Sequence, residues 1–311
     1  MNDNQNISFI MPAYNCADTI VESVESIFKD NFEQGDELII IDDASTDKTL
    51  ETIKSLQKKY PEIKTVSHNI NKGSAAAGRN TGIDFSKNEL IFCLDADNIL
   101  APNSIYPLKS HMLKNKAEVG AFGELRYFKK DKKEINHKWI FKKNQVELQD
   151  ALTGYYWPGP SGNYLFTKKS WKISGRYEET LGGAYDSWAF GIKQLGAGFK
   201  IIILEDSFYY HRYGYDSTFI REENKVKASL VGLSVLIKFL PQINDSDIEY
   251  IMSSKHRYSW FENLEKKPIR LKNNKIGING TLINYQAKKD TKDIIEPKYK
   301  KYLKSLKNFF K

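Results

Sequence analysis

The chain has few of the residues that define several classes of protein. Only two cysteines, Cys16 and Cys93, occur among 311 residues, which argues against a disulfide framework and a cysteine-based metal site. Both lie in segments predicted to be buried, so we expect reduced thiols in a cytosolic protein. The first residues are polar and lack a basic stretch followed by an apolar one, so we expect no ordinary secretory signal.

Long apolar runs and dinucleotide-binding glycines are also missing. The most apolar predicted helix, Ala228 to Leu240, contains Lys238 and is shorter than the roughly 20 apolar residues that a membrane-spanning helix needs. The first predicted strand is followed by Pro12-Ala13-Tyr14-Asn15 instead of Gly-x-Gly-x-x-Gly. This argues against an NAD-dependent oxidoreductase. A sugar-nucleotide pyrophosphorylase is disfavoured because its glycine-rich opening loop is absent.

Positive charge is abundant, but it is concentrated at one end of the chain. The net charge is +8, and the segment from Glu265 to Lys311 contains 14 Lys and Arg against 4 Asp and Glu. The preceding residues are therefore close to neutral as a whole. Nucleic-acid-binding proteins more often spread basic residues over a folded face with stacking aromatic residues, so we expect no nucleic-acid partner.

Strands and helices alternate through the first third of the chain. Apolar runs near Ile7, Leu38, Ile63 and Leu90 predict four strands, and the amphipathic segments between them predict helices, the first capped by Asp18. This alternation is typical of a parallel sheet with helices on both faces. The sequence therefore predicts an α/β fold with a Rossmann-like, mostly parallel central sheet.

Acidic side chains collect where two of these strands end. Asp42 and Asp43 follow the second strand, and Asp95 and Asp97 follow the fourth. The carboxyl ends of parallel strands meet at one edge of a sheet, where α/β proteins bind ligands. Paired carboxylates suit a hard cation such as Mg²⁺, which also takes oxygens from substrate phosphates and water. The residues alone predict a metal-assisted diphosphate site, although Asp-x-Asp also occurs in turns and helix N-caps.

Four strand-end motifs occur in a fixed order that resembles the family 2 glycosyltransferases of the GT-A fold. The motifs are Ile10–Asn15, Ile41–Asp47, Asn71–Asn80 and Leu94–Asp97. The resemblance is specific over residues 7–108 and weaker to about residue 215. It implies an inverting transfer of a sugar from a UDP- or GDP-sugar to a hydroxyl group of a saccharide, in surface polysaccharide or glycolipid assembly, with Mn²⁺ or Mg²⁺ as the cofactor.

The resemblance also implies a division of the chain and a set of donor-binding residues. Residues 1–108 would bind the nucleotide sugar, 109–222 would bind the acceptor, and 223–311 would form a helical extension. The donor roles implied are packing on base and ribose for Pro12, Ala13 and Tyr14, base recognition for Asp43, diphosphate binding for Arg79, ribose binding for Asp95 and metal ligation for Asp97. Core packing of Tyr14, an N-cap role for Asp43 and a local ion pair of Arg79 are the alternatives.

The catalytic base and a second metal ligand are also implied by the resemblance. An inverting displacement needs a base that takes the proton of the acceptor hydroxyl, and the family commonly supplies it from a Glu-Asp pair. Here Tyr185 replaces the first acid, so Asp186 is the remaining candidate. We expect it to lack a like-charge neighbour that could raise its pKa, and a helix N-cap is its alternative role. His211 resembles a histidine that some members place on the metal or diphosphate; a structural role is the alternative.

The acceptor and the membrane have candidate sites of their own. Tyr156 and Trp157 belong to an aromatic loop that could stack on the C–H faces of an acceptor sugar, or act as a hydrophobic lid. Residues 298–311 place aromatic residues and lysines at helical spacing, which suits an anionic membrane surface or docking on the protein body. A lipid-linked saccharide would then be the acceptor, and we expect a cytoplasmic protein, peripheral on the cytosolic face of the membrane.

Overall fold

A computed structural model of the chain describes residues 5–141, 143–152, 163–180, 185–214, 228–261, 263–264 and 266–272. The strands are β1 (Ile7–Ala13), β2 (Glu37–Asp42), β3 (Ile63–Ser67), β4 (Leu90–Cys93), β5 (Ile99–Leu100), β6 (Val119–Phe128), β7 (His137–Ile140), β8 (Gln145–Val146), β9 (Leu165–Thr167) and β10 (Ile201–Arg212). The helices are α1 (Ile20–Asp30), α2 (Thr49–Lys59), α3 (Ala75–Phe85), α4 (Ile105–Lys114), α5 (Leu148–Ala151), α6 (Lys168–Ser174), α7 (Asp186–Gly196), α8 (Ala228–Leu236) and α9 (Asp245–Met252).

One ten-stranded sheet organises these elements. Its strand order is β3-β2-β1-β4-β9-β6-β10-β5, with β7 added to β6 and β8 to β10. Strands β1 to β4 run parallel, β9 runs antiparallel to both β4 and β6, and β10 is parallel to β6. The carboxyl ends of β1, β2, β4, β6 and β10 therefore lie at the same edge. The prediction of a mostly parallel α/β sheet is confirmed, and the division into residues 1–108, 109–222 and 223–311 stays a prediction.

The helix that follows β3 approaches the sheet closely. At Gly82 of α3, an added Cβ would lie 2.5 Å from side-chain atoms of Ile10 on β1 and Ile41 on β2. Only a residue without a side chain fits that gap, because protein cores are packed without spare volume. This close approach fixes the height of α3 above the sheet, and with it the position of Arg79, one helical turn earlier.

Two of the local predictions fail in their details. Helix α1 begins at Ile20 with Thr19 at the N-cap, because Thr19 and Ile20 both donate backbone hydrogen bonds to the carbonyl oxygen of Cys16. Asp18 therefore lies within this turn, one residue before the N-cap, and the prediction of Asp18 as the cap is wrong. The apolar helix after residue 228 ends at Leu236 and continues as a 3-10 helix, Ile237–Gln242, which contains a proline.

Two further predictions concern the cysteines and membrane-spanning helices. Cys16 and Cys93 are free thiols, and burial raises the pKa of each to about 12, so both are protonated at neutral pH. The prediction of unpaired cysteines is confirmed. Within the residues that the structure describes, we find no helix with the length and apolar character to cross a membrane.

Candidate active site

A backbone hydrogen bond connects the ends of β1 and β2, where the sequence predicts the base-binding residues. The backbone N–H of Asp43 donates to the carbonyl oxygen of Ala13 at 2.8 Å, so the loop after β1 touches the loop after β2. Ala13 is buried, while Pro12 and Tyr14 are partly exposed at the sheet edge. Tyr14 lies outside the hydrophobic core cluster, which disfavours the core-packing alternative. Ala13 therefore contacts Asp43 directly, and the predicted packing of Pro12, Ala13 and Tyr14 on base and ribose stays a prediction.

The carboxylate of Asp43 is held by two neighbours that sequence reasoning missed. His68, just after β3, places Nδ1 2.6 Å from Asp43 Oδ1, and its Nε2 lies 3.0 Å from the Thr81 hydroxyl. The backbone N–H of Lys72 donates to both carboxylate oxygens at 3.0 Å. Helix α2 begins at Thr49, so Asp43 is not a helix N-cap. His68 directly follows a third parallel strand, and that position is the signal that could have identified it from the sequence.

Arg79 lies buried between two acidic side chains from different parts of the chain. Its Nη1 donates to Asp186 Oδ2 at 2.5 Å, and its Nη2 donates to Asp95 Oδ1 at 2.6 Å. Only 4% of the Arg79 side chain is exposed, so it is not a solvated helix residue. The guanidinium joins the loop after β4 to the first residue of α7. Its predicted contact with a donor diphosphate stays a prediction.

The positive charge of Arg79 and the negative charges of Asp186 and Asp95 stabilise each other. Burial works to lower the pKa of Arg79, but Asp186 and Asp95 raise that pKa well above its usual range, so the guanidinium stays protonated. Burial raises the pKa of Asp186, Arg79 opposes the rise, and the charge of Asp95 adds to it. The expectation that Asp186 has no like-charge neighbour is therefore wrong. Its neighbour, Asp95, comes from the loop after β4, about 90 residues away in the chain, and the local sequence could not show it.

Asp186 begins helix α7 and is not its cap. The N-cap residue is Tyr185, which has a φ of 67° in the left-handed region, an uncommon conformation for a residue with a bulky side chain. One oxygen of Asp186 accepts the backbone N–H of Ser187 at 2.7 Å, and the other faces Arg79. The N-cap alternative is therefore disfavoured. The carboxylate is oriented on both sides, as a positioned base would need to be.

Asp95 has a second support on the strand side. Its backbone N–H donates to Asn163 Oδ1 at 2.9 Å, and Asn163 Nδ2 donates to Asp95 Oδ2 at 3.2 Å. Asn163 is buried and lies just before β9. No motif in the sequence marked this residue. It matters because it fixes the orientation of Asp95 independently of Arg79.

Asp97 lies at the tip of the same loop, partly exposed to solvent. Burial and the neighbouring charge of Asp95 raise the pKa of Asp97 to about 7, against the opposing effect of Arg212 and Arg79. The carbonyl oxygen of Asp97 accepts a hydrogen bond from Arg212 Nε at 3.0 Å. The tip therefore concentrates negative charge that a cation would stabilise.

His211 reaches this part of the sheet on β10, one residue before Arg212. Its ring is tilted against Tyr127 at 4.8 Å between centroids, and Nδ1 lies 3.5 Å from the Tyr209 hydroxyl. Burial lowers the pKa of His211 to about 4, so the ring is neutral at pH 7 and keeps a nitrogen lone pair. Within the described ranges, no group of three or more His, Cys, Asp or Glu side chains is placed to hold a metal ion.

Tyr156 and Trp157 lie outside the described residues, as does the basic segment beyond residue 272. The described part of the candidate site therefore consists of the predicted donor-binding residues together with Asp186.

Solved structures with the same fold were found. A Staphylococcus aureus TarS fragment in complex with UDP-GlcNAc has a TM-score of 0.64 and 18% identity, covering 83% of this chain and 72% of that one. The mannosyltransferase PcManGT from Pyrobaculum calidifontis, in complex with GDP-Man and Mn²⁺, has a TM-score of 0.54 and 17% identity, covering 77% and 66%. At these identities the likeness establishes the fold, which is that of the GT-A glycosyltransferases.

The sequence comparisons establish the family. The description "Glycosyl transferase family 2" matches residues 8–173. The Escherichia coli enzyme UDP-Glc:alpha-D-GlcNAc-diphosphoundecaprenol beta-1,3-glucosyltransferase WfgD is 36% identical over 113 residues, which are 36% of this chain and 43% of that enzyme. The chain spans less than half the length of the curated relatives compared, from 18% to 44%. This chain belongs to glycosyl transferase family 2.

Proposed function

We propose that this protein transfers a sugar from a UDP- or GDP-sugar to a hydroxyl group of a saccharide acceptor, with inversion at the sugar carbon. The observation that carries the proposal is the buried bridge from Asp95 through Arg79 to Asp186. It joins a carboxylate on the donor side of the sheet to a carboxylate oriented at the start of a helix. Family membership supplies the reaction type, and the bridge supplies a pair of groups that the reaction can use.

Each side chain has a definite task in this proposal. Asp43, held by His68 and the Lys72 amide, accepts the N–H of the nucleotide base, and Asp95 holds the ribose. Asp186 accepts the proton of the attacking hydroxyl, which makes the oxygen a better nucleophile. Arg79 favours the ionised form of Asp186, because its charge opposes the rise in pKa that burial causes.

We also propose that the reaction depends on Mn²⁺ or Mg²⁺. The donor set fits such an ion: Asp97 offers hard oxygens at a tip with excess negative charge, and neutral His211 offers a nitrogen. Two protein ligands are sufficient when the substrate phosphates and water complete the coordination shell. The ion would neutralise charge on the departing nucleoside diphosphate. The complex of PcManGT with GDP-Man and Mn²⁺ supports the proposal.

Replacing Asp97 with Asn tests the metal. We expect Asp97→Asn to weaken Mn²⁺-dependent binding of UDP by about 10–100-fold, because the amide gives one neutral oxygen in place of a charged carboxylate. Isothermal titration calorimetry of UDP with and without Mn²⁺ measures the effect. The exposed Asp84→Asn variant is the matched control. Equal Mn²⁺ enhancement in Asp97→Asn and the control would show that Asp97 is not a ligand.

The reaction itself is tested by a donor panel. We expect UDP or GDP release from one nucleotide sugar, increased by a saccharide acceptor, and no binding of NAD. The relative WfgD, whose name specifies a diphosphoundecaprenol-linked saccharide, makes lipid-linked saccharides the first acceptors to try. Binding of NAD without binding of any nucleoside diphosphate would refute the proposed function.

We propose further that the basic segment 298–311 binds an anionic membrane from the cytosolic side. Its lysines and aromatic residues alternate at helical spacing, and each lysine near such a surface contributes about 1 kcal/mol. Deleting residues 297–311 should release the protein from liposomes that contain phosphatidylserine, measured by sedimentation. Neutral liposomes are the control. Unchanged sedimentation of the truncated protein with anionic liposomes would contradict the proposal.

A further inference from the structure

The first turn of α7 is contacted by an aromatic ring from much later in the chain. The Phe261 ring lies edge-on to Tyr185 at 5.7 Å between centroids, and at 90° to Trp188 at 4.7 Å. Aromatic pairs prefer such edge-to-face arrangements. Tyr185 is the N-cap of α7, and Trp188 is the third residue of the helix. The two residues in contact with Phe261 therefore bracket Asp186.

This first turn needs support because of the residue at its start. Tyr185 has a left-handed φ of 67°, which costs free energy in a residue with a side chain and persists only where the surroundings enforce it. Tyrosine also lacks the short side-chain oxygen with which Ser, Thr, Asp or Asn accepts a backbone N–H of the first turn. Helix ends fray, and fraying here would carry Asp186 away from Arg79.

Phe261 is itself held in place by the helix that packs on α7, which is α8. Its backbone N–H donates to the Ser229 hydroxyl at 3.1 Å, and the indole Nε1 of the preceding Trp260 donates to the Ser229 carbonyl oxygen at 3.1 Å. Ser229 lies in the first turn of α8, and both Ser229 and Trp260 are fully buried. The Phe261 ring therefore has a fixed position from which it can hold the first turn of α7.

Arg79 and Phe261 act on different residues of the same turn. Arg79 binds the carboxylate of Asp186 itself, whereas Phe261 packs on residues before and after it. The ion pair fixes the direction of the carboxylate only if the turn that carries the carboxylate is also fixed. Packing by Phe261 supplies this second restraint.

We propose that Phe261 is a positioning residue for sugar transfer, which holds the first turn of α7 so that Asp186 keeps the orientation that a general base needs. The inference rests on the proposed function, in which Asp186 accepts the proton of the acceptor hydroxyl. It assigns a role in turnover to a residue about 75 positions after Asp186 in the chain.

Replacing Phe261 with Leu tests this role. The substitution keeps an apolar side chain but removes the flat ring, so we expect kcat to fall by about 10–100-fold through misplacement of Asp186. The affinity for UDP should change by no more than about twofold, because the lost interaction concerns turnover and not donor binding. Nucleoside diphosphate release measures kcat, and calorimetry measures the affinity.

The matched control is Phe239→Leu, which makes the same substitution at the other end of α7. The Phe239 ring lies so close to Gly196, the last residue of α7, that an added Cβ there would overlap it. This variant should lose stability but keep kcat within about threefold of wild type. An equal loss of kcat in the two variants would show that Phe261 only supports folding, and would overturn the inference.

Two substitutions at Tyr185 separate the ring contact from the backbone strain. Tyr185→Ala and Tyr185→Gly both remove the ring that Phe261 contacts, but glycine adopts a positive φ without strain. We expect Tyr185→Gly to keep about tenfold more turnover than Tyr185→Ala, and to lose little more when Phe261→Leu is added. Equal turnover of the two Tyr185 variants would contradict the inference.

A double-mutant cycle on stability tests the geometry without any turnover. If Phe261 holds Asp186 against Arg79, Arg79→Met should destabilise the Phe261→Leu protein less than wild type, as measured by urea unfolding. In the Phe239→Leu protein the loss should equal that of wild type. Equal losses in all three proteins would overturn the inference, even if the wild-type protein transferred no sugar. Absence of nucleoside diphosphate release from wild type, with the coupling to Phe261 present, would refute the proposed function alone.

Discussion

Replacing Asp186 with Asn is expected to lower turnover by about 10²–10⁴-fold, the usual contribution of a positioned general base. The amide has a single acceptor oxygen, so it can accept from Arg79 or from the Ser187 N–H but not from both; basicity is lost, while the contact of Arg79 with Asp95 on the other side of the bridge is kept. Affinity for UDP should therefore change by no more than about twofold. Nucleoside diphosphate release measures turnover, and calorimetry measures donor binding.

The pH profile of the wild-type enzyme gives a second measure of the same group. Because burial raises the pKa of Asp186 above the ordinary value of an aspartate, the proton blocks the base at a higher pH than usual. Activity should fall on the acidic side at a higher pH than an ordinary aspartate would give, and Asp186→Asn should lack that limb. Turnover of Asp186→Asn equal to that of the exposed Asp84→Asn control would exclude Asp186 as the base.

Replacing Arg79 with Met is expected to affect both folding and activity. The substitution leaves Asp186, with 8% side-chain exposure, and Asp95, with 25%, facing each other without a cation. Breaking a buried ion pair by removing one partner costs about 3–5 kcal/mol, and the partial exposure of Asp95 favours the lower end. Urea unfolding measures the free energy of unfolding, and turnover should be lost at the same time.

Two companion variants separate stability from catalysis. Arg79→Lys keeps the charge but not the planar fork that reaches both carboxylates, so its stability should fall between wild type and Arg79→Met. The double variant Arg79→Met/Asp186→Asn should recover part of the lost stability, because one of the two unpaired charges is gone, and should remain inactive. A stable and active Arg79→Met protein would show that the bridge has no such role.

The sequence was most informative where neighbours in space are also near in sequence or follow a repeated pattern. The strand tips at Asp43, Asp95 and Asp97 were predicted because apolar runs end in acidic residues and parallel strands end at one edge. The structure places all three there. Their predicted contacts with base, ribose and metal stay predictions that the binding experiments test.

The missed features depend on packing between distant segments. Nothing near Arg79 in the chain indicates that Asp186 lies beside it, since α3 and α7 meet only when the sheet has formed. Asn163 follows no motif, although it fixes Asp95. The failure of Asp18 as a cap has a more local cause, a turn at Cys16 that propensity alone does not reveal.

Gly82 lies in the interior of the protein, but its lack of a side chain affects the position of Arg79 in the candidate site. A methyl group at this position would push α3 away from β1 and β2, and the guanidinium carried one turn earlier would move with the helix. A shift of about 1 Å in a reacting group can cost about 10²-fold in rate. A substitution at Gly82 would therefore impair function as well as folding, because it would disturb the alignment of the charged groups at the edge of the sheet.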